Sequence, residues 1–237
     1  MDGDGGPAGR DDRSGGATGH LARELASAVV AVCLVGLFLF AVSGVWPPLV
    51  AIESPSMTPS IETGDMVFVM DEERFPGPDA RHGVVTAAAG DTAGYVVFGR
   101  PGDVIVFMPD GDASATPIIH RAMLWVDRGE NWYDRADPDA VGTATDCTEL
   151  RNCPAPHAGF VTQGDFNAEY DQAGTTSTVV RPSWVIGTGE VRLPNLGWVR
   201  LRSLAVAGAW APENDPEAVS TPAGAANGTT AARTAES

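Results

Sequence analysis

Ile118-Ile-His-Arg-Ala-Met-Leu-Trp-Val126 is a run of nine residues dominated by β-branched, aromatic and long apolar side chains. Such a run reads as a β-strand. Four shorter runs share its character: Met66-Val-Phe-Val-Met70, Tyr95-Val-Val-Phe98, Val104-Ile-Val-Phe-Met108 and Trp184-Val-Ile186. Gly, Pro and Asp, the residues that turn a chain, separate them. No stretch carries three turns of a convincing amphipathic helix. The expected fold class is therefore mainly β. Residues 127–160 are polar and rich in turn formers, and read as an insertion or long lid rather than core.

Upstream of these runs, charge disappears. Between Glu24 and Glu53 there is no Asp, Glu, Arg or His. Leu25 to Val45 is 21 residues of LASAVVAVCLVGLFLFAVSGV. As a helix rising about 1.5 Å per residue it spans roughly 30 Å, the thickness of a bilayer's hydrocarbon core. Trp46 suits an interfacial position, and Pro47-Pro48 stops a helix. A cleaved signal peptide, cut near Ala41-Val42-Ser43, fits less well. The apolar region exceeds a secretory core of roughly 7–15 residues, and its leader is long and acidic. Arg10, Arg13 and Arg23 precede the span, and the next basic residue is Arg74. The positive-inside rule then puts the N-terminus in the cytoplasm and the rest outside. The expected organisation is a disordered cytoplasmic leader over 1–24, a single transmembrane helix over 25–46, an external β domain over 47–205 and a disordered tail over 206–237.

The charge narrows the partners. The chain of 237 residues has 15 basic and 31 acidic residues, a formal net charge of −16. Every basic residue is arginine, where average usage predicts on the order of a dozen lysines. That removes lysine chemistry altogether: no Schiff base, no P-loop lysine, no Ser-Lys dyad. An acidic chain also lacks the basic surface that nucleic acid requires. Most of the excess lies in residues 25–205, with 22 acids against 11 arginines. A solvated, self-repelling surface of this kind resembles proteins adapted to high salt.

Just beyond the apolar span comes Glu53-Ser-Pro-Ser-Met-Thr-Pro-Ser-Ile-Glu-Thr-Gly-Asp65. Serine is a poor nucleophile without an adjacent base and donors for an oxyanion. With no lysine, histidine is the leading base. His20 lies in the leader, His82 in a polar loop and His157 in the insertion, whereas His120 lies within the nine-residue strand run. A histidine base needs a carboxylate to fix its tautomer. Gly164-Asp-Phe-Asn-Ala-Glu-Tyr-Asp171 offers Asp165, Glu169 and Asp171. Cys147 and Cys153 could form a disulfide or stay reduced. No second pair of ligands supports a zinc site beside them. Cys33 falls in the span as a small packing residue, and Asn227-Gly-Thr229 fits a glycosylation acceptor.

Four of these segments together resemble the type I signal peptidases (peptidase family S26). Ser54-x-Ser56-Met57-x-Pro59 with Gly64-Asp65 is similar to that family's serine box, and Gly102-Asp-Val-Ile-Val-Phe107 to its Gly-Asp strand box. Ile119-His120-Arg121 is similar to the base box of the archaeal and endoplasmic-reticulum branch, where His stands in place of the bacterial Lys. Gly164-Asp165-Phe-Asn167 with Asp171 resembles the C-terminal acidic box. The four occur in family order over roughly residues 25–190.

The resemblance implies a signal-peptidase-like β domain behind a single N-terminal transmembrane helix, and a serine hydrolase that needs no cofactor and no metal. Ser56 would be the nucleophile, His120 the base, Asp171 the group that orients the imidazolium, and Asp165 a second supporting carboxylate. The Ser54 hydroxyl and the Ser56 N–H would be the oxyanion donors. The implied substrates are exported preproteins with small residues at the first and third positions before the cut, bound by strand addition. Membrane lipid is an implied partner, a secretion translocon is compatible with the reading, and nucleic acid is not expected. Two departures stand out. Pro55 replaces a frequent Gly and carries no N–H, and Phe166 replaces the usual first Asn of the acidic box.

Overall fold

The computed structural model describes residues 14–198. The expected C-terminal tail, Asn227 within it and the first 13 residues of the leader lie outside those residues. The chain begins with helix α1 (Ser14–Ser43). It starts well before residue 25, so the end of the expected disordered leader is helical. Once a long apolar segment has nucleated a helix, each further residue costs little to add, and Leu21-Ala-Arg-Glu24 are adequate helix formers.

The helix stops at Ser43 rather than Trp46. Gly44 adopts φ +81° and its N–H bonds the Phe40 carbonyl at 2.8 Å, a glycine C-cap. His20–Ser43 is long and apolar enough to cross a membrane, and its apolar window is not buried against the rest of the chain.

Eight short strands follow: β1 (Leu49–Ala51), β2 (Met66–Met70), β3 (Val96–Val97), β4 (Arg100–Pro101), β5 (Val104–Phe107), β6 (Ile118–Val126), β7 (Gly159–Gln163) and β8 (Val185–Leu193). Six of them form one sheet in the order β1-β2-β8-β5-β6-β7, with every pair antiparallel. The expected mainly β class is what the structure has. β6 and β2 match their sequence runs end to end. β3 and β4 form a separate two-stranded hairpin. The sequence reading passed over β1, β4, β7 and the two-turn helix α2 (Ala87–Ala93), which Thr86 caps by accepting the Ala89 N–H at 3.3 Å.

All four residues of β5 are buried. Val104 and Val106 join a cluster with Ile52, Met57, Ile61, Val67 and Val69, whereas Ile105 and Phe107 join Val84, Ala122, Phe160 and Val180. Alternate residues of a strand face opposite sides, so this continuous apolar run marks a strand covered on both faces. The segment between β6 and β7 carries core of its own. Trp132, Ala140, Val141, Leu150 and Ala155 are buried together with Leu124, Val126, Val161 and Tyr170. The expected lid is therefore a packed unit, and Cys147 and Cys153 within it form a disulfide.

Candidate active site

The serine segment is a loop closed at its base. The Ile52 N–H donates to the Asp65 carbonyl at 2.9 Å and the Gly64 N–H to the Ile52 carbonyl at 2.8 Å. The Asp65 carboxylate accepts the Glu62 and Asn195 amides at 2.9 and 3.0 Å. Met57 and Ile61 are fully buried beneath the loop, which leaves the serines on its outer side. The Ser54 and Ser56 hydroxyls lie 3.0 Å apart. The Ser56 N–H points at the Ser54 oxygen across a long 3.5 Å. The two expected oxyanion donors are thus side by side, and Pro55 does not disturb them.

His120 stands on β6 opposite Ile105 and is 5% exposed. Its Nδ1 lies 2.7 Å from Asp171 Oδ2. The same oxygen accepts the Thr162 hydroxyl at 2.7 Å, and the Asp171 N–H donates to the Thr162 carbonyl at 2.9 Å. Asp171, 2% exposed, is held by β7 on both its backbone and its side chain. With Nδ1–H given to a carboxylate, the neutral imidazole keeps Nε2 as an acceptor.

Nε2 is turned toward Gly164. A Cβ built on Gly164 would stand 2.9 Å from His120 Nε2 and 2.6 Å from the Ser56 carbonyl oxygen. The base and the backbone of the serine therefore crowd one point that only a glycine leaves open. Two residues on, the Phe166 N–H donates to that Ser56 carbonyl at 2.9 Å. Phe166 contributes through its backbone, so its side chain has no part in this contact. The Ser56 hydroxyl is engaged with the Ser54 hydroxyl.

Asp165 does not reach the histidine. It takes two parallel hydrogen bonds from Arg121, Nε to Oδ1 at 2.8 Å and Nη2 to Oδ2 at 2.7 Å. Arg121 and Asp165 are both almost wholly buried. Burial works to raise the Asp165 carboxyl. The bonds from Arg121 and Ser60 and the charges of Arg121 and Arg100 outweigh it and hold the group below the usual carboxylate range. Arg121 Nη1 also donates to the Gly102 carbonyl at 2.7 Å and the Val97 carbonyl at 3.1 Å. The arginine thus joins the β3–β4 hairpin to the acidic segment. Asp165, expected as a second supporting carboxylate, is paired with Arg121 and braces the segment carrying Gly164 and Phe166. The physical reason is strand alternation: Arg121 follows His120 and faces the other way.

The remaining candidates disperse. Glu169 turns to Gly142, where a Cβ would meet its carboxylate at 3.2 Å. His82 stacks on Trp125 with ring centroids 5.1 Å apart, and His157 meets Trp184 edge-on at 5.5 Å. Asp103, from the Gly-Asp strand segment, is buried behind the site. It accepts the Val85 N–H at 2.7 Å and the Tyr95 hydroxyl at 2.9 Å. Burial pushes its carboxyl up to about 6, against those bonds and the Arg121 charge and with the help of Glu190. Thr162 and Gly164 belong to the site and were not singled out from sequence. Gly164 was visible as part of the acidic segment. Thr162 gave no local signal, because its role depends on strand pairing. The chain matches no known protein family's profile and no curated protein sequence.

Proposed function

We propose that this chain is a membrane-anchored serine endopeptidase that removes signal peptides from exported preproteins, of the histidine-based archaeal and endoplasmic-reticulum type. The observation that carries the reading is the meeting of three segments distant in sequence. Asp171 orients His120, and the free Nε2 shares the Gly164 position with the backbone of Ser56. In the proposed reaction, Nε2 takes the Ser56 proton as Oγ attacks the scissile carbonyl. The Ser54 hydroxyl and Ser56 N–H then receive the oxyanion. The imidazolium, stabilised by Asp171, protonates the leaving amine and leaves an acyl-enzyme on Ser56. Water, deprotonated by the same nitrogen, releases the acid. The order of four motifs and the antiparallel sheet support a signal-peptidase-like fold. Arg10, Arg13 and Arg23 before the apolar span that begins at Leu25 and a disulfide in the folded part support an exterior location.

A second reading is a membrane-anchored binding protein on a degenerate form of the same fold. It draws on the Ser56 hydroxyl being bonded to Ser54, and on Phe166 and Pro55. The deciding experiment incubates membranes carrying the chain with a radiolabelled preprotein across a salt series. Wild type is expected to cut, and Ser56→Ala and His120→Ala to leave the precursor intact. Equal cutting by Ser56→Ala removes the peptidase reading. A serine-reactive acylating probe that fails to label Ser56 favours the binding protein.

A further inference from the structure

The junction between α1 and the sheet is a fixed joint, not a loose tether. Ser43, the last residue of the helix, is fully buried. Its hydroxyl donates to the Val69 carbonyl at 2.7 Å, and its carbonyl accepts the Asp71 N–H at 2.9 Å. Arg74 reaches back from the turn after β2 and donates from Nη2 to the Ala41 carbonyl at 2.7 Å. A cation on the last open carbonyls of a helix is favourable there. Gly44 lets the pieces close up: a Cβ on it would stand 2.6 Å from Arg74 Nη1 and 3.1 Å from Asp71 Cβ. The Asp71–Arg74 turn is thus bound to the final helical turn at two places.

The next residue, Phe75, is 75% exposed, and Trp46 just past the helix is 71% exposed. Neither buries its ring against the sheet. If α1 crosses a bilayer, its C-terminal end lies at the interface, and the joint brings the Asp71–Arg74 turn to that end of the helix. From this geometry we infer that the Arg74–Phe75 turn is a second membrane contact, and that Phe75 with Trp46 seats the folded domain on the lipid interface. The occupant is lipid rather than another protein, because the surface is continuous with a helix whose apolar side chains are already exposed. The exposed Glu73 on the same turn limits the depth. Its carboxylate stays with headgroup water, so the rings enter no further than the acyl boundary. The inference rests on α1 spanning a bilayer and is independent of whether Ser56 is a nucleophile.

The test places a nitroxide on Phe75→Cys in the full chain in phosphatidylcholine nanodiscs. A Cys33→Ala background leaves the engineered thiol as the free one. Trp46→Cys serves as the interface reference and Thr92→Cys, exposed on α2, as the aqueous one. Collision with oxygen relative to a water-soluble nickel chelate is read at each site. The expected ratio at residue 75 is several-fold above that at residue 92 and close to that at residue 46. A ratio equal to that of residue 92 overturns the inference. Exclusion of both reagents, which means cover by protein or a second copy, overturns it as well. Phe75→Asp provides the second arm, and is expected to shift the residue 46 label several-fold toward water. An unchanged residue 46 label would show that the turn has no part in seating the domain. Because neither arm reads activity, failure here and failure of the peptidase reading are separate results.

Discussion

His120 and Arg121 are neighbours on β6, and each holds a carboxylate from the same eight-residue segment, yet the two regions they organise differ in kind. On the histidine side, one ring nitrogen is fixed by Asp171 and the other is left open toward Gly164. On the arginine side, the guanidinium is closed off. It is bonded to both oxygens of Asp165 and to backbone carbonyls of the β3–β4 hairpin. A period of two along the strand separates a ring with one open nitrogen from a guanidinium tied to a carboxylate and to backbone carbonyls. The same pairing, a nitrogen beside a carboxylate, leaves a ring nitrogen open on one face and makes a brace on the other.

The largest expected effect breaks the open side. Asp171→Asn keeps the shape but no longer fixes the Nδ1–H tautomer, so processing of a labelled preprotein should fall on the order of 10³–10⁴-fold. Circular dichroism should stay unchanged. Near-normal cutting would mean that Asp171 is structural too, and the division between the two faces would collapse. Next comes the closed side. Arg121→Met strands a buried Asp165, and thermal unfolding of the solubilised chain should show a loss of about 3–5 kcal/mol. Pairing it with Asp165→Leu should recover part of that loss. A third change tests the point where the two sides meet. Gly164→Ala forces the Ser56 carbonyl or the imidazole to move, and about 10²-fold should be lost in kcat, along with about 1–3 kcal/mol of stability.

The smallest effect is a matter of pH. The folded chain holds the Asp103 proton to about 6 because the group is buried, whereas an unfolded aspartate titrates near pH 3.9. The native state therefore binds the proton more tightly, and stability from this group is present at low pH and lost as pH rises from about 4 through 6. Asp165 runs the other way: its depressed carboxyl loses its contribution only as pH falls below the usual aspartate range. Asp103→Asn should flatten the slope of Tm between pH 4 and 6 in calorimetry. An unchanged slope would place the titrating group elsewhere.

What sequence could supply depended on how local the cause was. β2 and β6 were legible because their apolar runs are bounded by turn formers, and the part of α1 from Leu25 onward because no charge interrupts it. His120 stood out as the candidate base because the chain has no lysine and the other histidines fall in the leader or in polar loops. The choice between Asp165 and Asp171 was not legible, because both follow the same glycine and only strand pairing decides which one meets the imidazole. β7 was passed over because it is short and mixed, and its burial comes from β6 on one side and Val180 on the other. The insertion misled for a related reason. Its few large side chains are scattered among turn residues, and their shared burial appears only once the chain has folded back.

That insertion also governs how far the protein can be trimmed. Trp132 donates to the Asn152 carbonyl at 2.8 Å, and the Asn152 amide donates to the Gln172 carbonyl at 3.0 Å. Tyr170 donates its backbone N–H to the Ala140 carbonyl at 2.9 Å and accepts the Asp137 N–H on its hydroxyl at 3.0 Å. The residues on either side of Asp171 are thus gripped by the stretch that looks most dispensable on paper. Shortening it to a plain hairpin turn would free both neighbours of the carboxylate that aims His120. A minimal version of this protein has to keep those thirty or so residues, or replace both handholds from another source.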